Sequence, residues 1–282
     1  MYTTLIDVST LRLHYLKSNW RVIDTRFSLL DTNMGPKEYT EGHIPGSIYA
    51  NLENDLSGPI KIGQTGRHPL PSVNQMVTKF SSWGIDKNIQ VVVYDSASGT
   101  IAARLWWMLR WLGHDAVAVL DGGLPAWITL NLPISKELSK VSARKFEAKE
   151  RSDMVANLEK LEKYREDPNW ALLDARTVER FRGEIEPIDP VAGHIPGARC
   201  ASFEKNLSSR GTFETSNELT QRYKNLTGDI PPERIINYCG SGVTACHNIL
   251  ALAHAGIGNT VLFPGSWSEW ITKESNPIAT GE

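Results

Sequence analysis

One cysteine, Cys239, stands where a predicted strand gives way to a glycine-rich loop and then to a helix. The strand is predicted over 235–238, because these residues are mostly β-branched or aromatic and two prolines precede them. Gly240 and Gly242 allow the loop backbone conformations that a Cβ would forbid. From Val243 onward the apolar residues recur with helical spacing. Backbone N–H groups at the start of a helix lack partners within it, so the loop is predicted to hold an anion.

Nucleophilic attack by a thiolate is the chemistry that this arrangement favours. Unpaired N–H groups and the helix dipole stabilise negative charge and lower the pKa of a thiol. The same groups can hold a thiolate, a persulfide or an oxyanion, and we expect them to belong to Gly240, Gly242, Val243 and Thr244. The alternative is a cysteine that only packs, since free cysteine is among the most buried residue types. The Gly-Ser-Gly loop argues against that alternative.

Length, composition and charge set limits on the class of protein. The 282 residues suggest two domains, and 41% hydrophobic with 22% charged residues is typical of well-packed globular cores. A net charge of −2 gives no basic field for nucleic acid or anionic membrane. Three cysteines argue against a disulfide framework and predict a reducing, cytoplasmic location. No secretory signal or membrane-spanning stretch is visible, so neither a membrane nor a nucleic acid is predicted as a partner.

The chain carries one series of motifs twice, in the same order. The spacing between the copies is nearly constant, which indicates two tandem domains rather than a solenoid. The matching segments are 22–26 with 172–176, 42–47 with 193–198, 91–95 with 235–239, and 120–127 with 263–270. We expect an N-terminal domain over 1–132, a linker over 133–152 whose charged and small residues suit a solvated connector, and a C-terminal domain over 153–282.

Short apolar strands alternate with helical segments in each half. This predicts an α/β fold of two tandem domains, each with a mainly parallel sheet and helices on both faces. In the first half the predicted strands are 22–24, 48–50, 91–94 and 117–120, and the predicted helices are 72–83 and 100–112. Active groups of such sheets gather at the carboxyl ends of the strands, where Cys239 is expected.

The position that matches Cys239 in the first half is Asp95. A carboxylate at a helix start is a stable cap, but it cannot attack sulfur. The N-terminal domain is therefore predicted to be non-catalytic, and the C-terminal domain to carry the nucleophile.

The whole chain resembles a tandem-domain sulfurtransferase of the rhodanese family. The resemblance rests on the two Gly-His-Ile-Pro-Gly segments at 42–46 and 193–197, the loop at 239–244 and the segment 265–270. It implies two rhodanese-like domains and the transfer of a sulfane sulfur to a nucleophilic acceptor through a persulfide on Cys239. Nothing in the sequence demands a cofactor, and no metal-ligand spacing is visible.

The resemblance also implies roles for three further residues. Arg180 matches the family arginine that binds the donor carboxylate, a task to which guanidinium is well suited, and Arg182 is its alternative. His68 matches a family histidine and is expected to relay a proton together with Ser241. The catalytic candidates are therefore Cys239, Ser241 and His68. The structural alternatives are a solvent-facing arginine, a loop histidine and a turn serine.

Two features of the sequence bear on the preferred donor. Gly240 and Ser241 stand where thiosulfate:cyanide sulfurtransferases carry basic residues, and this neutral loop is similar to that of 3-mercaptopyruvate sulfurtransferases. The segment 187–190 lacks the second arginine that mercaptopyruvate enzymes often place there, so thiosulfate is the alternative donor. The implied acceptors are cyanide or a thiol, such as thioredoxin or a small dithiol.

Three other classes compete with this interpretation. A cysteine phosphatase needs a longer loop closed by a phosphate-gripping arginine, and the corresponding position here is Ala245. A non-catalytic binding module would not need Cys239. A sulfur carrier would use the same persulfide and differ only in the acceptor.

Overall fold

The computed structural model describes all 282 residues, and they form two compact units. Unit 1 comprises Met1–Gly58, Pro71–Arg151 and Arg210–Thr212. Unit 2 comprises Pro59–Leu70, Ser152–Ser209 and Phe213–Glu282. The segment Pro59–Leu70 thus belongs to unit 2, although it lies in the first half of the sequence.

Unit 1 contains a five-stranded parallel sheet with strand order β1-β5-β4-β2-β3. Its strands are β1 Leu5–Ile6, β2 Trp20–Asp24, β3 Ile48–Tyr49, β4 Gln90–Tyr94 and β5 Val117–Leu120. Its helices are α1 Val8–Leu11, α2 Met34–Glu41, α3 Val73–Ser82, α4 Ala102–Trp111 and α5 Gly123–Thr129. The hydroxyl of Ser72 caps α3 by accepting from the N–H of Gln75, since serine is well suited to that position.

Unit 2 contains a four-stranded parallel sheet with strand order β7-β6-β8-β9. Its strands are β6 Ala171–Asp174, β7 Ala198–Cys200, β8 Ile235–Tyr238 and β9 Val261–Leu262. Its α-helices are α6 Leu158–Tyr164, α7 Val178–Arg182, α8 Ser216–Thr227, α9 Thr244–His254 and α10 Ser266–Trp270. Three short 3₁₀ helices lie at Ser152–Met154, Phe203–Asn206 and Pro232–Arg234.

The burial of the central strands shows that both sheets are covered on two faces. Every residue of β4 and of β8 is buried. Side chains alternate between the faces of a strand, so complete burial requires packing on both sides. The predicted α/β fold with two parallel sheets is confirmed.

The sequence repeat extends to side-chain contacts. In unit 1, Arg26 donates to Asp24 and to the carbonyl oxygen of Gly42, both at 2.7 Å. In unit 2, Arg176 repeats both contacts at 2.7 Å, with the matching aspartate and with the carbonyl oxygen of Gly193. Each buried ion pair ties the end of a strand to the Gly-His-Ile-Pro-Gly turn.

The two histidines of those turns are structural in the same way. His43 Nδ1 donates to the carbonyl oxygen of Tyr39 at 2.7 Å, and His194 Nδ1 donates to that of Phe181 at 2.7 Å. Each ring also stacks on the aromatic ring of the same partner residue.

The segment predicted as a linker is anchored to unit 1. Ser135 forms a β-bridge with His43. Phe146 is 5% exposed and packs edge-on against Phe80, with ring centroids 5.2 Å apart. None of the helices has both the length and the apolar character needed to cross a membrane.

Candidate active site

Cys239 lies directly after β8 and is 2% exposed. The N–H of Gly242 donates to its Sγ at 3.2 Å. Burial raises the pKa of the thiol, but hydrogen bonds from the Thr244 hydroxyl and the N–H groups of Ser241 and Ala245 lower it, and the pKa of Cys239 is lowered on balance. These donors favour the thiolate, which is the nucleophilic form.

The shape of the loop depends on a close approach at Gly242. This glycine has a φ of +76°, and a Cβ there would lie 2.5 Å from the carbonyl oxygen of Pro264. Two N–H groups at the start of α10 donate to the carbonyl oxygens of Cys239 and Gly240, both at 2.9 Å. The carbonyl oxygens of Cys239 and Gly240 thus accept from α10, while the N–H of Gly242 donates to the sulfur.

Ser266 supports the nucleophile and was not singled out from the sequence. Its Oγ accepts from the N–H of Cys239 at 3.1 Å and donates to the carbonyl oxygen of Phe263 at 3.0 Å. Ser266 is fully buried and has a φ of +54°, which is uncommon for a residue with a Cβ. Backbone strain of this kind persists where the surrounding contacts fix it, often beside functional groups.

His68 and Ser241 are brought together in unit 2. His68 Nδ1 lies 2.7 Å from Ser241 Oγ, and both residues are buried. They meet because the segment Pro59–Leu70 packs on the start of α10, where Gly66 approaches Gly265 so closely that a Cβ would lie 2.4 Å from its carbonyl oxygen. An imidazole and a hydroxyl at this distance can pass a proton between them.

Arg180 lies in α7 and reaches the loop. Its Nε and Nη2 donate to Glu186 at 3.1 and 2.7 Å, and Nη2 also contacts Asp189 at 3.2 Å. Its Nη1 lies 3.6 Å from the position that a Cβ on Gly240 would take. Two carboxylates thus hold the guanidinium through Nε and Nη2, and Nη2 also lies 3.4 Å from that Cβ position, so the group borders the residue next to Cys239.

Arg67 is a second guanidinium at the loop, and no local pattern in the sequence marks it. Its Nη1 pairs with Asp189, and its Nη2 lies 2.9 Å from the position of a Cβ on Gly240. Burial lowers the pKa of Arg67, while the charge of Cys239 acts to raise it. The only signal in the sequence is that it precedes His68.

The matching loop of unit 1 holds a carboxylate where the thiol would be. Asp95 is 1% exposed. Its two oxygens accept hydrogen bonds of 2.8 to 2.9 Å from the backbone N–H groups of Ala97, Gly99, Ile101 and Ala102. The side chain therefore fills its own ring of donors, which makes it a stable cap with no means of attacking sulfur.

The remaining cysteines and Arg182 have other partners. Cys246 is buried in α9 and its Sγ donates to the carbonyl oxygen of Gly242 at 3.3 Å. Cys200 ends β7, and burial raises the pKa of its thiol. Arg182 donates to Glu282 at 2.6 Å.

Both units match known proteins. A family model described as the rhodanese-like domain matches residues 9–130 and 157–273. A Pseudomonas aeruginosa protein named "Probable 3-mercaptopyruvate sulfurtransferase" is 48% identical over 262 residues, covering 93% of this chain and 92% of that protein. The "Thiosulfate/3-mercaptopyruvate sulfurtransferase 2" of Arabidopsis thaliana is 32% identical over 300 residues, covering 97% and 86%. A crystal structure of an Escherichia coli protein described as a 3-mercaptopyruvate sulfotransferase matches with a TM-score of 0.81 and 29% identity, covering 95% and 100%.

Proposed function

The chain belongs to the rhodanese-like family and is a sulfurtransferase, and from this premise we propose that it carries sulfane sulfur from 3-mercaptopyruvate to a thiol or cyanide acceptor through a persulfide on Cys239. The observation that carries the proposal is the buried Cys239 Sγ, which accepts from the N–H of Gly242 at 3.2 Å in a loop that lowers the thiol pKa. The same donors, with those of Val243 and Thr244 at the helix start, suit a persulfide anion.

In the first half-reaction the Cys239 thiolate attacks the sulfur of mercaptopyruvate. An S–S bond forms, the S–C bond of the donor breaks, and its electron pair leaves with the carbon as the enolate of pyruvate. One cysteine thiol and one mercaptopyruvate thus become one persulfide and one pyruvate. The proton of the donor thiol must reach the enolate carbon, and the Ser241–His68 pair, 2.7 Å apart, is placed to move it.

In the second half-reaction the acceptor attacks the outer sulfur of the persulfide. The S–S bond breaks and Cys239 departs as the stabilised thiolate, which a low thiol pKa makes a good leaving group. Cyanide becomes thiocyanate. A monothiol becomes a persulfide, and a dithiol such as thioredoxin can go on to form its own disulfide and release sulfide.

The charges beside the loop favour a monocarboxylate donor. Three guanidinium groups and three carboxylates form one connected cluster there: Arg67, Arg176, Arg180, Asp174, Glu186 and Asp189. The formal charges of this cluster cancel, so a dianion gains little attraction from it. A carboxylate gains directional hydrogen bonds from a guanidinium, and we therefore assign the donor carboxylate to Arg180.

Thiosulfate is the second candidate donor. The Arabidopsis relative carries both donors in its name, and two guanidinium groups, those of Arg67 and Arg180, border the loop. With this donor the same thiolate attack would release sulfite and leave the same persulfide on Cys239.

The proposed acceptors follow from the chemistry of the second step, and the proposed location follows from the cysteine content. A thioredoxin, a small dithiol or cyanide each supplies the soft nucleophile that the second step requires. The cytoplasmic location stays a prediction from the cysteine content. The relatives named as sulfurtransferases argue against a non-enzymatic binding module, and a sulfur carrier would differ only in the acceptor.

Steady-state kinetics with both donors test the proposal. Each donor is assayed with cyanide and with a small dithiol, with Cys239→Ser as the inactive control. We expect kcat/KM for 3-mercaptopyruvate to exceed that for thiosulfate by about tenfold or more, the effect of roughly 1.4 kcal/mol of differential transition-state binding. The reverse order would favour thiosulfate, and full activity of Cys239→Ser would remove the persulfide from the mechanism.

A further inference from the structure

The segment Pro59–Leu70 brings a second guanidinium to the thiol loop. We propose that Arg67 and Arg180 together bind the carboxylate of the sulfur donor, and that Asp189 positions both of them. The proposal rests on the proposed function, because it concerns how that donor is recognised at the same thiol.

Both guanidinium groups border the space above Gly240. A Cβ placed on Gly240 would lie 2.9 Å from Arg67 Nη2, and 3.4 and 3.6 Å from Arg180 Nη2 and Nη1. Gly240 directly follows Cys239, so an anion held in that space lies beside the nucleophile. The absence of a side chain at Gly240 lets both guanidinium groups approach the backbone next to Cys239.

Asp189 contacts each arginine with a different oxygen. Its Oδ1 accepts from Arg67 Nη1, and its Oδ2 accepts from Arg180 Nη2 at 3.2 Å. The carboxylate is 3% exposed, so it offsets the repulsion between the two guanidiniums where water screens it poorly. Arg67 Nη2 and Arg180 Nη1 take no part in the contacts with Asp189 and lie near Gly240, so both can donate to a donor carboxylate while Asp189 stays in place.

Glu186 makes this arrangement rigid on the Arg180 side. It accepts from Arg180 Nη2 at 2.7 Å and from the N–H groups of Ile188 and Asp189, both at 3.1 Å. The same carboxylate thus fixes the guanidinium and the backbone that carries Asp189. Glu186 thus fixes the position of Arg180 relative to Asp189.

Arg67 is fixed through its backbone and retains unmet hydrogen-bonding capacity. Its N–H donates to Ser268 Oγ at 3.1 Å, which ties it to α10 and hence to the loop. Its side chain is 27% exposed, and its Nε is buried with no hydrogen-bond partner. A guanidinium in this state gains more from an incoming carboxylate than a fully paired one does.

The arrangement also explains selection between donors. Asp189 places a negative charge against the guanidiniums, so it penalises a dianion more than a monocarboxylate. Removing that charge should have opposite effects on the two donors. Thiosulfate should bind more tightly, whereas 3-mercaptopyruvate should lose the alignment of its two partners.

The test is steady-state kinetics with both donors on the full chain, using wild type, Arg67→Ala, Arg67→Gln and Asp189→Asn. We expect both Arg67 variants to raise the KM for 3-mercaptopyruvate by about tenfold or more, with a smaller change in kcat. Asp189→Asn should raise the KM for 3-mercaptopyruvate and lower that for thiosulfate. Arg199→Ala, which removes an exposed guanidinium that donates to a backbone carbonyl, should match wild type.

Two results would overturn the inference. A wild-type KM for 3-mercaptopyruvate in the folded Arg67 variants would remove Arg67 from the site and leave the proposed function intact. No turnover of 3-mercaptopyruvate by the wild type would overturn the proposed function and this inference with it. Thermal melting checks that each variant folds, and if Arg67→Ala does not, Arg67→Gln and the donor ratio of Asp189→Asn decide.

Discussion

His68 Nδ1 lies 2.7 Å from Ser241 Oγ, although 173 positions separate the two residues in the chain. The contact exists because the segment Pro59–Leu70 packs within unit 2, although it lies in the first half of the sequence. It places an imidazole, a group suited to proton transfer, beside the loop that holds the thiol.

If His68 and Ser241 act as one proton relay, their variants should not be additive. Ser241→Ala and His68→Gln are each expected to lower the rate of persulfide formation by about 10²-fold or more. The double variant should be no slower than the slower single variant, because each substitution removes the same step. Single-turnover measurements of pyruvate release check this, and losses that multiply in the double variant would show that the residues act independently.

Thr244 is expected to control the reactivity of Cys239. Burial raises the pKa of this thiol, but the Thr244 hydroxyl is the first of the hydrogen bonds that lower it. Thr244→Val should therefore raise the pKa of Cys239, so that less thiolate exists at neutral pH. The pH dependence of Cys239 alkylation should shift to higher pH by comparison with wild type.

The matched control for this shift is Thr220→Val. Thr220 donates to the backbone carbonyl oxygens of Ser216 at 2.7 Å and Ala255 at 3.0 Å, and neither residue belongs to the loop. An alkylation profile of Thr244→Val that coincides with those of wild type and the control would remove Thr244 from the stabilisation of the thiolate.

Arg180→Ala should raise the KM for the preferred donor by about tenfold or more, because a buried charge-assisted hydrogen bond to the donor is lost. Arg182→Ala is the matched control. Arg182 lies in the same short helix, but its guanidinium pairs with Glu282. Initial-rate measurements over a range of donor concentrations distinguish the two. Equal KM values for Arg180→Ala and wild type would take Arg180 out of donor binding.

Asp95→Ala should destabilise the fold and leave the pKa of the Cys239 thiol unchanged. Its carboxylate accepts hydrogen bonds from four backbone N–H groups, which the variant would leave without their partner. We expect a loss of roughly 2–4 kcal/mol in the free energy of unfolding, on the scale of a lost helix cap with further unsatisfied buried donors. Asp95→Asn should lose less, and denaturant unfolding measures both. An unfolding free energy equal to wild type would contradict the capping role.

The sequence predicts the fold well because its signals are local and occur twice. The strand predicted over 117–120 and the start of α3 after Ser72 agree with the structure. The repeated segments 22–26 and 172–176 also end in the same Asp-Arg ion pair, in both units. A motif read once is ambiguous, whereas the same motif at a matching position in a second domain gives an independent check.

The site is less predictable because part of it depends on non-local packing. Arg67 has no signature in its own neighbourhood. Ser266 lies in a family motif, but nothing local shows that its hydroxyl binds the N–H of Cys239. Both roles follow from how Pro59–Leu70 and α10 pack on the loop. The sequence therefore showed the absence of a second arginine in 187–190, but not that Asp189 in that segment pairs with Arg67. Glycines at 66 and 265 permit that packing, and sequence alone does not reveal which surfaces they bring together.

Mass measurement of the donor-treated protein tests the central claim most directly. After brief exposure to 3-mercaptopyruvate and removal of excess donor, the peptide that contains Cys239 should gain about 32 Da, the mass of one sulfur atom, and treatment with cyanide should remove it. Cys239→Ser should show no such gain. Sulfur transfer that proceeds while the Cys239 peptide stays unmodified, or a gain confined to Cys200 or Cys246, would contradict the account.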